Sequence, residues 1–152
     1  MDVPVPYTAF SMTVPDTFLD FNGHMNDAAY AQVLTDANES FLRWLGLSEQ
    51  YRRESGGALF TVELTIRFLH EVGRAAVLSA HSLVASNDTK RLRLHTTLVD
   101  SEGTAVAVGE TLYLHVDAGG SGRVAPFPAD RQAVLDEVAA AHHHAHGEAS
   151  AR

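Results

Sequence analysis

The hydrophobic period of the chain changes once, and the position of that change limits the folds that the chain can adopt. Between residues 28 and 45 apolar side chains recur at helical spacing, and Gly46 follows where a C-terminal cap belongs. Between residues 60 and 68 apolar and polar residues alternate, which is typical of a half-buried strand. The sequence therefore predicts one long amphipathic helix that is followed by strands.

The same pattern predicts four further strands. They cover residues 7–14, 75–85, 91–99 and 104–116. The turns before the last three strands are marked by Glu71-Val72-Gly73, Ser86-Asn87-Asp88 and Asp100-Ser101-Glu102-Gly103, so the strand at residues 60–68 is also expected to join the next strand by a short turn. Short turns make neighbouring strands antiparallel, and the apolar stripe of the helix must be buried on one sheet face. The expected fold is α+β, with a curved five-stranded antiparallel sheet wrapped around a long central helix.

A last helix is predicted over about residues 130–141, after Pro126 and Pro128, and a polar tail rich in histidine follows it. We expect residues 1–128 to form the main domain and residues 129–152 to form this C-terminal helix and tail. His142 and His146 have the i, i+4 spacing of a metal pair. No third ligand lies near them in the sequence, so no metal is expected.

Composition narrows the class of protein. A chain of 152 residues suits one domain, and the absence of cysteine excludes disulfides and thiol nucleophiles. The formal net charge of −8 argues against general nucleic-acid binding, although a local basic patch could still hold an anionic ligand. No apolar run approaches the roughly 20 residues that span a bilayer, and the N-terminus does not read as a signal peptide. A cytoplasmic protein without a membrane partner is expected.

The segment DFNGHMNDAAY, residues 20–30, lies where the long helix must begin. The first N–H groups of a helix are unpaired, and with the helix dipole they suit a carbonyl oxygen that is becoming an oxyanion. Asp20 could face the carbonyl carbon as a nucleophile or as a base for water. Equally, Asn26 or Asp27 could be a simple N-cap, Gly23 a turn and Asp20 a solvated side chain. Residue types alone leave both interpretations open.

The pattern D-x-x-G-H-M-N-D-x-x-Y resembles the D-x-x-G-H-V/M-N-N-x-x-Y signature of hot-dog fold acyl-CoA thioesterases of the 4-hydroxybenzoyl-CoA thioesterase type. The likeness includes the order of elements and so covers about residues 7–117. It implies that residues 1–128 form a hot-dog domain, and that two subunits join their sheets edge to edge with active sites between them. The implied partners are an acyl-CoA substrate and further copies of the chain, as a homodimer or homotetramer. No cofactor is expected, since coenzyme A is part of the substrate.

By this resemblance Asp20 is the catalytic carboxylate, and the backbone N–H of Asp27 is the oxyanion donor. His24 and Asn26 are expected to shape the loop through hydrogen bonds. Asp27 departs from the usual second asparagine of the family. The oxyanion role survives because a backbone N–H does not depend on its own side chain, and the added carboxylate could favour a cationic acyl group.

A second resemblance concerns the substrate. The segments TVELTIRFLHEVG, TKRLRLH and LHVD…GRVAPFP look like thioesterases that accompany carnitine dehydrogenase and hydrolyse betainyl-CoA. The trimethylammonium group of such a substrate is held by aromatic faces. Phe21 and Tyr30 are close in sequence to the catalytic residues, and Gly23 lets the backbone approach a ligand, so all three are expected to contact substrate.

A basic cluster follows the second predicted turn of the sheet. Its side chains alternate with two leucines and so share the turn and one strand face; they are Lys90, Arg91, Arg93 and His95. The cluster could hold the phosphates of coenzyme A or could be a solvated strand face, and the sequence favours neither.

Two other functions fit parts of the sequence. Hot-dog dehydratases or hydratases use a histidine with a helix-borne acid, and His24 with Glu39 resembles such a pair. The Pro- and Gly-rich segment of that family is missing here. A non-catalytic acyl-CoA-binding protein would keep the same pocket without turnover.

Overall fold

The computed structural model describes residues 1–151, which contain five strands and three α-helices. The strands are β1 (Ser11–Thr13), β2 (Gly57–Phe68), β3 (Val77–Asn87), β4 (Arg91–Val99) and β5 (Ala105–Asp117). The helices are α1 (Asp27–Trp44), α2 (Glu49–Ser55) and α3 (Ala129–Ser150). No helix within the described residues is long and apolar enough to cross a membrane.

The strands form one antiparallel sheet in the order β1-β3-β4-β5-β2. This order leaves β2 at a free edge, paired with β5. The predicted short turn that makes β2 and β3 neighbours is wrong, because β4 and β5 lie between these two strands in the sheet. Register shifts interrupt the pairing of β2 with β5 between Thr61 and Glu63, and of β3 with β4 between Val84 and Ser86. Such bulges increase local twist and help a sheet to curl. The predicted five-stranded sheet is confirmed.

The apolar stripe of α1 packs on the inner face of the sheet, as predicted. Val33, Leu34, Ala37 and Phe41 are fully buried there. Gly109 of β5 lies so close to α1 that a Cβ atom at this position would come within 2.9 Å of the Leu34 methyl groups. The missing side chain therefore allows the sheet to wrap tightly around the helix.

One polar network is buried in this core. The Asn38 side chain donates to Thr111 Oγ1 at 3.0 Å, and Thr96 Oγ1 donates to Asn38 Oδ1 at 2.8 Å. A buried amide that is satisfied in this way costs little and fixes the position of α1 on β4 and β5. The N-terminal end of α1 is thereby held in place for the site described below.

The last helix is longer than the sequence predicts, because α3 continues to Ser150 and its histidines lie on a helix rather than in a tail. His142 is fully buried against Phe41. Its Nδ1 accepts the N–H of Val84 at 2.9 Å, and its Nε2 lies 2.8 Å from the carbonyl oxygen of Pro4. Strand β1 is too short to reach Val84, so the imidazole satisfies an edge N–H of β3.

This arrangement makes stability depend on pH. Burial lowers the pKa of His142 below its ordinary value of 6.5, against a smaller opposing effect of the Pro4 carbonyl. Only the neutral ring accepts from Val84 while donating to Pro4. The unfolded chain takes up a proton near pH 6.5 while the folded protein resists, so the stabilisation is complete above that pH and is lost as the pH falls below it.

The variant His142→Gln tests this account, since an amide oxygen can accept the same N–H without titrating. Between about pH 7.5 and about pH 5.5 we expect the melting temperature of the wild-type protein to fall further than that of the variant. Differential scanning calorimetry measures both. An equal fall in the two proteins would contradict the assignment.

Candidate active site

The segment before α1 forms a tight loop that the Asp20 carboxylate organises. Its Oδ1 accepts the N–H groups of Asn22 at 2.8 Å and of His24 at 3.2 Å. Gly23 closes the turn with a φ of +78°, a conformation that glycine adopts without strain. Asp20 is exposed, and its Oδ2 atom has no hydrogen-bond partner within residues 1–151. One carboxylate oxygen therefore builds the loop while the other stays available.

Helix α1 begins at Asp27, with Asn26 as its N-cap. Asn26 Oδ1 accepts the N–H of Ala29 at 2.9 Å, and Asn26 Nδ2 donates to the carbonyl oxygen of Phe18 at 2.8 Å. The N–H groups of Asp27 and Ala28 find no acceptor in the described part of the chain. The cap and the turn are therefore present, and two donors at the positive end of the helix dipole remain unpaired beside them.

A cleft of about 340 Å³ opens where this loop, the start of α1 and the segment after β2 meet. Asp20, His24, Asp27 and Tyr30 line it from the motif side, and residues 68–71 line it from the other. The structure therefore brings four of the predicted site residues together.

Three other motif residues have different positions. Asn26 lies behind the cleft as the cap, and Gly23 forms the turn beside it. Phe21 is 98 % exposed and does not line the cleft of the subunit to which it belongs.

Two aromatic rings form one wall of the cleft. Tyr30 meets Phe68 edge to face, with ring centroids 5.1 Å apart, and its hydroxyl donates to the carbonyl oxygen of His70 at 3.1 Å. Burial raises the pKa of Tyr30, and the charges of Asp27 and Glu71 raise it further. The ring is therefore neutral and fixed. Because Tyr30 is 4 % exposed and Phe68 is 52 % exposed, Phe68 provides most of the accessible surface of this wall.

Carboxylates dominate the charge of the cleft. Asp20, Asp27 and Glu71 all line it, and His24 Nε2 lies 3.4 Å from Glu71 Oε2. The sequence did not predict His70 or Glu71. They follow β2 and reach the cleft because that strand ends beside Tyr30. No local sequence pattern indicates that the end of β2 and Tyr30 lie close together in the fold.

The predicted basic residues are not part of this cleft within one subunit. His24 pairs with Gly73 just before β3, whereas Lys90, Arg91 and Arg93 follow the far end of β3. Strand β3 spans about 33 Å at 3.3 Å per residue. Within one chain the loop at residues 20–26 and the basic turn are therefore separated by about the length of the sheet.

These basic residues remain accessible. Arg91 Nε is 2.7 Å from Asp88 Oδ2 and Arg93 Nη2 is 3.7 Å from Glu63 Oε2, in pairs that are largely exposed. Exposed ion pairs contribute little, so they do not prevent these side chains from binding an anion.

His95 does not belong with them. It is 2 % exposed, and its Nδ1 contacts Glu110 Oε1 directly. The prediction placed it in an open basic cluster, which is wrong because α3 reaches this part of the outer sheet face and His146 covers the ring.

The dehydratase pair is also absent within a subunit. Glu39 lies about 18 Å along α1 from Asp27, at 1.5 Å per residue. It is 3.8 Å from Arg43, whereas His24 approaches Glu71.

Comparison with known proteins agrees with this geometry. The sequence pattern of the thioesterase-like superfamily matches residues 14–140. The chain is 36 % identical to a betainyl-CoA thioesterase of Pseudomonas aeruginosa over 136 residues, which cover 89 % of this chain and 85 % of that protein. It is 42 % identical over 112 residues to an L-carnitine dehydrogenase/betainyl-CoA thioesterase of Agrobacterium fabrum, covering 74 % of this chain and 23 % of that longer protein.

A solved structure gives the same result for the fold. A Staphylococcus aureus protein determined in complex with CoA superposes with a TM-score of 0.84 at 25 % identity, covering 93 % of this chain and 90 % of that one. Both resemblances predicted from the sequence, to hot-dog thioesterases and to those associated with carnitine dehydrogenase, are confirmed. The chain belongs to the thioesterase-like superfamily and is a thioester hydrolase with the hot-dog fold.

Proposed function

We propose that the protein hydrolyses a small acyl-CoA with a cationic acyl group, betainyl-CoA in the first instance, to the free acid and coenzyme A. One observation carries this proposal. The cleft joins two free helix N–H groups and a free carboxylate oxygen to an aromatic wall that is flanked by acidic side chains. The names of the Pseudomonas and Agrobacterium relatives support the same substrate.

The reaction needs a carbonyl oxygen held at the start of α1. There the N–H of Asp27 would donate to the oxygen as it becomes negative. Asp20 Oδ2 would either attack the carbonyl carbon or take a proton from an attacking water. In both routes the C–S bond breaks, water supplies the new hydroxyl, and the CoA thiolate leaves without much need for protonation. Thioester and water are the only reactants, so the proposal includes no cofactor.

The acyl group would lie against Tyr30 and Phe68. A quaternary ammonium is attracted by aromatic faces, at roughly 0.5 to 2 kcal/mol per good contact. Asp27 and Glu71 border the same rings and add negative charge. A neutral branched acyl chain would gain the apolar contact alone.

Two substrates of nearly equal shape test this selectivity. We expect kcat/KM for betainyl-CoA to exceed that for its neutral isostere, 3,3-dimethylbutyryl-CoA, by roughly tenfold or more. Release of free CoA thiol measures both rates. Equal rates, or preference for the isostere, would leave the thioesterase assignment standing and remove the cationic substrate.

The protein would act as a homodimer through β2. This free edge strand and the residue after it carry large apolar side chains that are 38–54 % exposed: Phe60, Val62, Leu64, Phe68 and Leu69. A free edge also leaves N–H and C=O groups unpaired, and antiparallel pairing with a second β2 would satisfy them. Whether two such dimers join into a tetramer depends on surfaces that this pairing leaves open.

Antiparallel pairing would also bring the two ends of the site together. In one subunit the catalytic loop adjoins the Phe68 end of β2, and the β3–β4 turn lies toward the Gly57 end. A two-fold axis across β2 places the Gly57 end of one copy beside the Phe68 end of the other. Lys90, Arg91 and Arg93 of the partner copy would then be available for the CoA phosphates. We also propose that the protein acts in the cytoplasm, as the sequence predicts.

A further inference from the structure

Three ionisable side chains meet on the outer face of the sheet, opposite α1. His95 of β4 and Glu110 of β5 are register partners, and His146 of α3 lies edge-on to the His95 ring with centroids 5.3 Å apart. One ligand atom from each residue lies within 4.8 Å of the others. We call His95, Glu110 and His146 the outer-face cluster.

The cluster contains buried polar atoms that lack a partner. His95 Nδ1 contacts Glu110 Oε1, but His95 Nε2 and Glu110 Oε2 are buried without any hydrogen bond within residues 1–151. Buried polar atoms are nearly always satisfied, so each exception needs an explanation. An ion that took the place of the proton between His95 Nδ1 and Glu110 would be bound by both side chains, with the ring's remaining proton on Nε2.

We propose that the outer-face cluster binds a divalent transition-metal ion of the Zn²⁺ class and that the ion fastens α3 to the sheet. Two imidazole nitrogens and one carboxylate oxygen form a ligand set that Zn²⁺ accepts, with a water in the fourth position. The sequence offered no third ligand near His142 and His146. In the fold, His95 and Glu110 of the sheet join His146 and complete a set of three ligands. His142 is not available as a ligand, because its ring nitrogens are hydrogen-bonded to Val84 and Pro4.

The outer-face cluster is partly open to solvent. His95 is buried, whereas Glu110 and His146 are half-buried, so an ion can reach these two ligands. A cleft of about 470 Å³ borders α3 at Ala145, the residue before His146.

Zinc titration of the protein, stripped with EDTA and dialysed, tests the site. By isothermal titration calorimetry we expect about one Zn²⁺ per chain. At a Zn²⁺ concentration about a hundredfold above Kd, the melting temperature should rise by roughly 5 °C or more. His146→Ala and Glu110→Gln should each weaken binding by at least tenfold and abolish the rise.

The same helix provides the matched control. His143 and His144 are exposed neighbours of the buried His142, so the double variant His143→Ala/His144→Ala should bind Zn²⁺ as the wild-type protein does. Circular dichroism establishes that each variant is folded, and the visible spectrum of bound Co²⁺ should disappear in His146→Ala and persist in the double variant. Absence of saturable binding by the wild-type protein would overturn the proposal. Binding that survives in His146→Ala but is lost in the double variant would overturn it as well, in favour of surface histidines.

Discussion

We expect Asp20→Asn to lower kcat for the preferred acyl-CoA by roughly a thousandfold while the protein stays folded. The amide can neither attack the thioester carbonyl nor take a proton from water. Its oxygen can still accept the N–H groups of Asn22 and His24 that Asp20 Oδ1 accepts now. The loop geometry should therefore persist, and a steady-state thiol-release assay should report the loss of chemistry alone.

Asp36→Asn is the matched control. Asp36 is an exposed carboxylate on α1 that accepts a hydrogen bond from Gln32 and does not line the cleft. Its substitution should leave kcat within about twofold of wild type, since surface changes away from a site have small effects. An Asp20→Asn enzyme that keeps more than about a tenth of wild-type kcat would contradict the assignment and move the chemistry to another carboxylate, such as Asp36 or Glu39.

Mixed dimers should recover activity that neither parent possesses. One parent carries Asp20→Asn, and the other carries Arg91→Ala with Arg93→Ala. If each site takes Asp20 from one copy and the basic residues from the other, a heterodimer contains one complete site and one doubly impaired site. Random assembly makes half the dimers mixed, so at low substrate concentration we expect about a quarter of the wild-type rate.

Co-expression with two different affinity tags isolates the mixed dimers, in which one complete site of two should give about half of the wild-type rate, against about a quarter for the unfractionated mixture. The control is a mixed dimer of one wild-type chain and one chain that carries Asp20→Asn together with both arginine substitutions. If the sites are shared, one site of this control dimer lacks Asp20 and the other lacks the two arginines. The control should therefore be nearly inactive. The opposite ranking would contradict the sharing of sites, and light scattering that shows a single species at the 16.4 kDa chain mass would contradict the dimer itself.

The sheet and its central helix could be predicted because their hydrophobic periods are local. The stripe through Val33, Leu34 and Phe41 marks α1, and short turns make β3, β4 and β5 neighbours, whereas the pairing of β2 with β5 has no local signal. The position of the loop at residues 20–26 could be predicted for a similar reason, since its motif ends where α1 begins. The free N–H of Asp27 follows directly from that placement.

Other features depend on contacts between distant segments. The predicted last helix stopped near residue 141 because histidines read as a polar tail, yet His142 is held by an edge N–H of β3. Glu71 reaches the cleft only because β2 ends beside Tyr30. His95 alternates with leucines like its basic neighbours, and only the position of α3 distinguishes it.

Release of free CoA thiol from a panel of acyl-CoAs distinguishes thioester hydrolysis from the other possible functions. We expect the wild-type protein to release one thiol for each acyl acid formed, with betainyl-CoA among the fastest substrates. Hydration of an enoyl-CoA without any free thiol would contradict it and favour a hydratase. Thermal stabilisation by acyl-CoAs with no thiol released from any member of the panel would contradict it too, and would leave a binding protein.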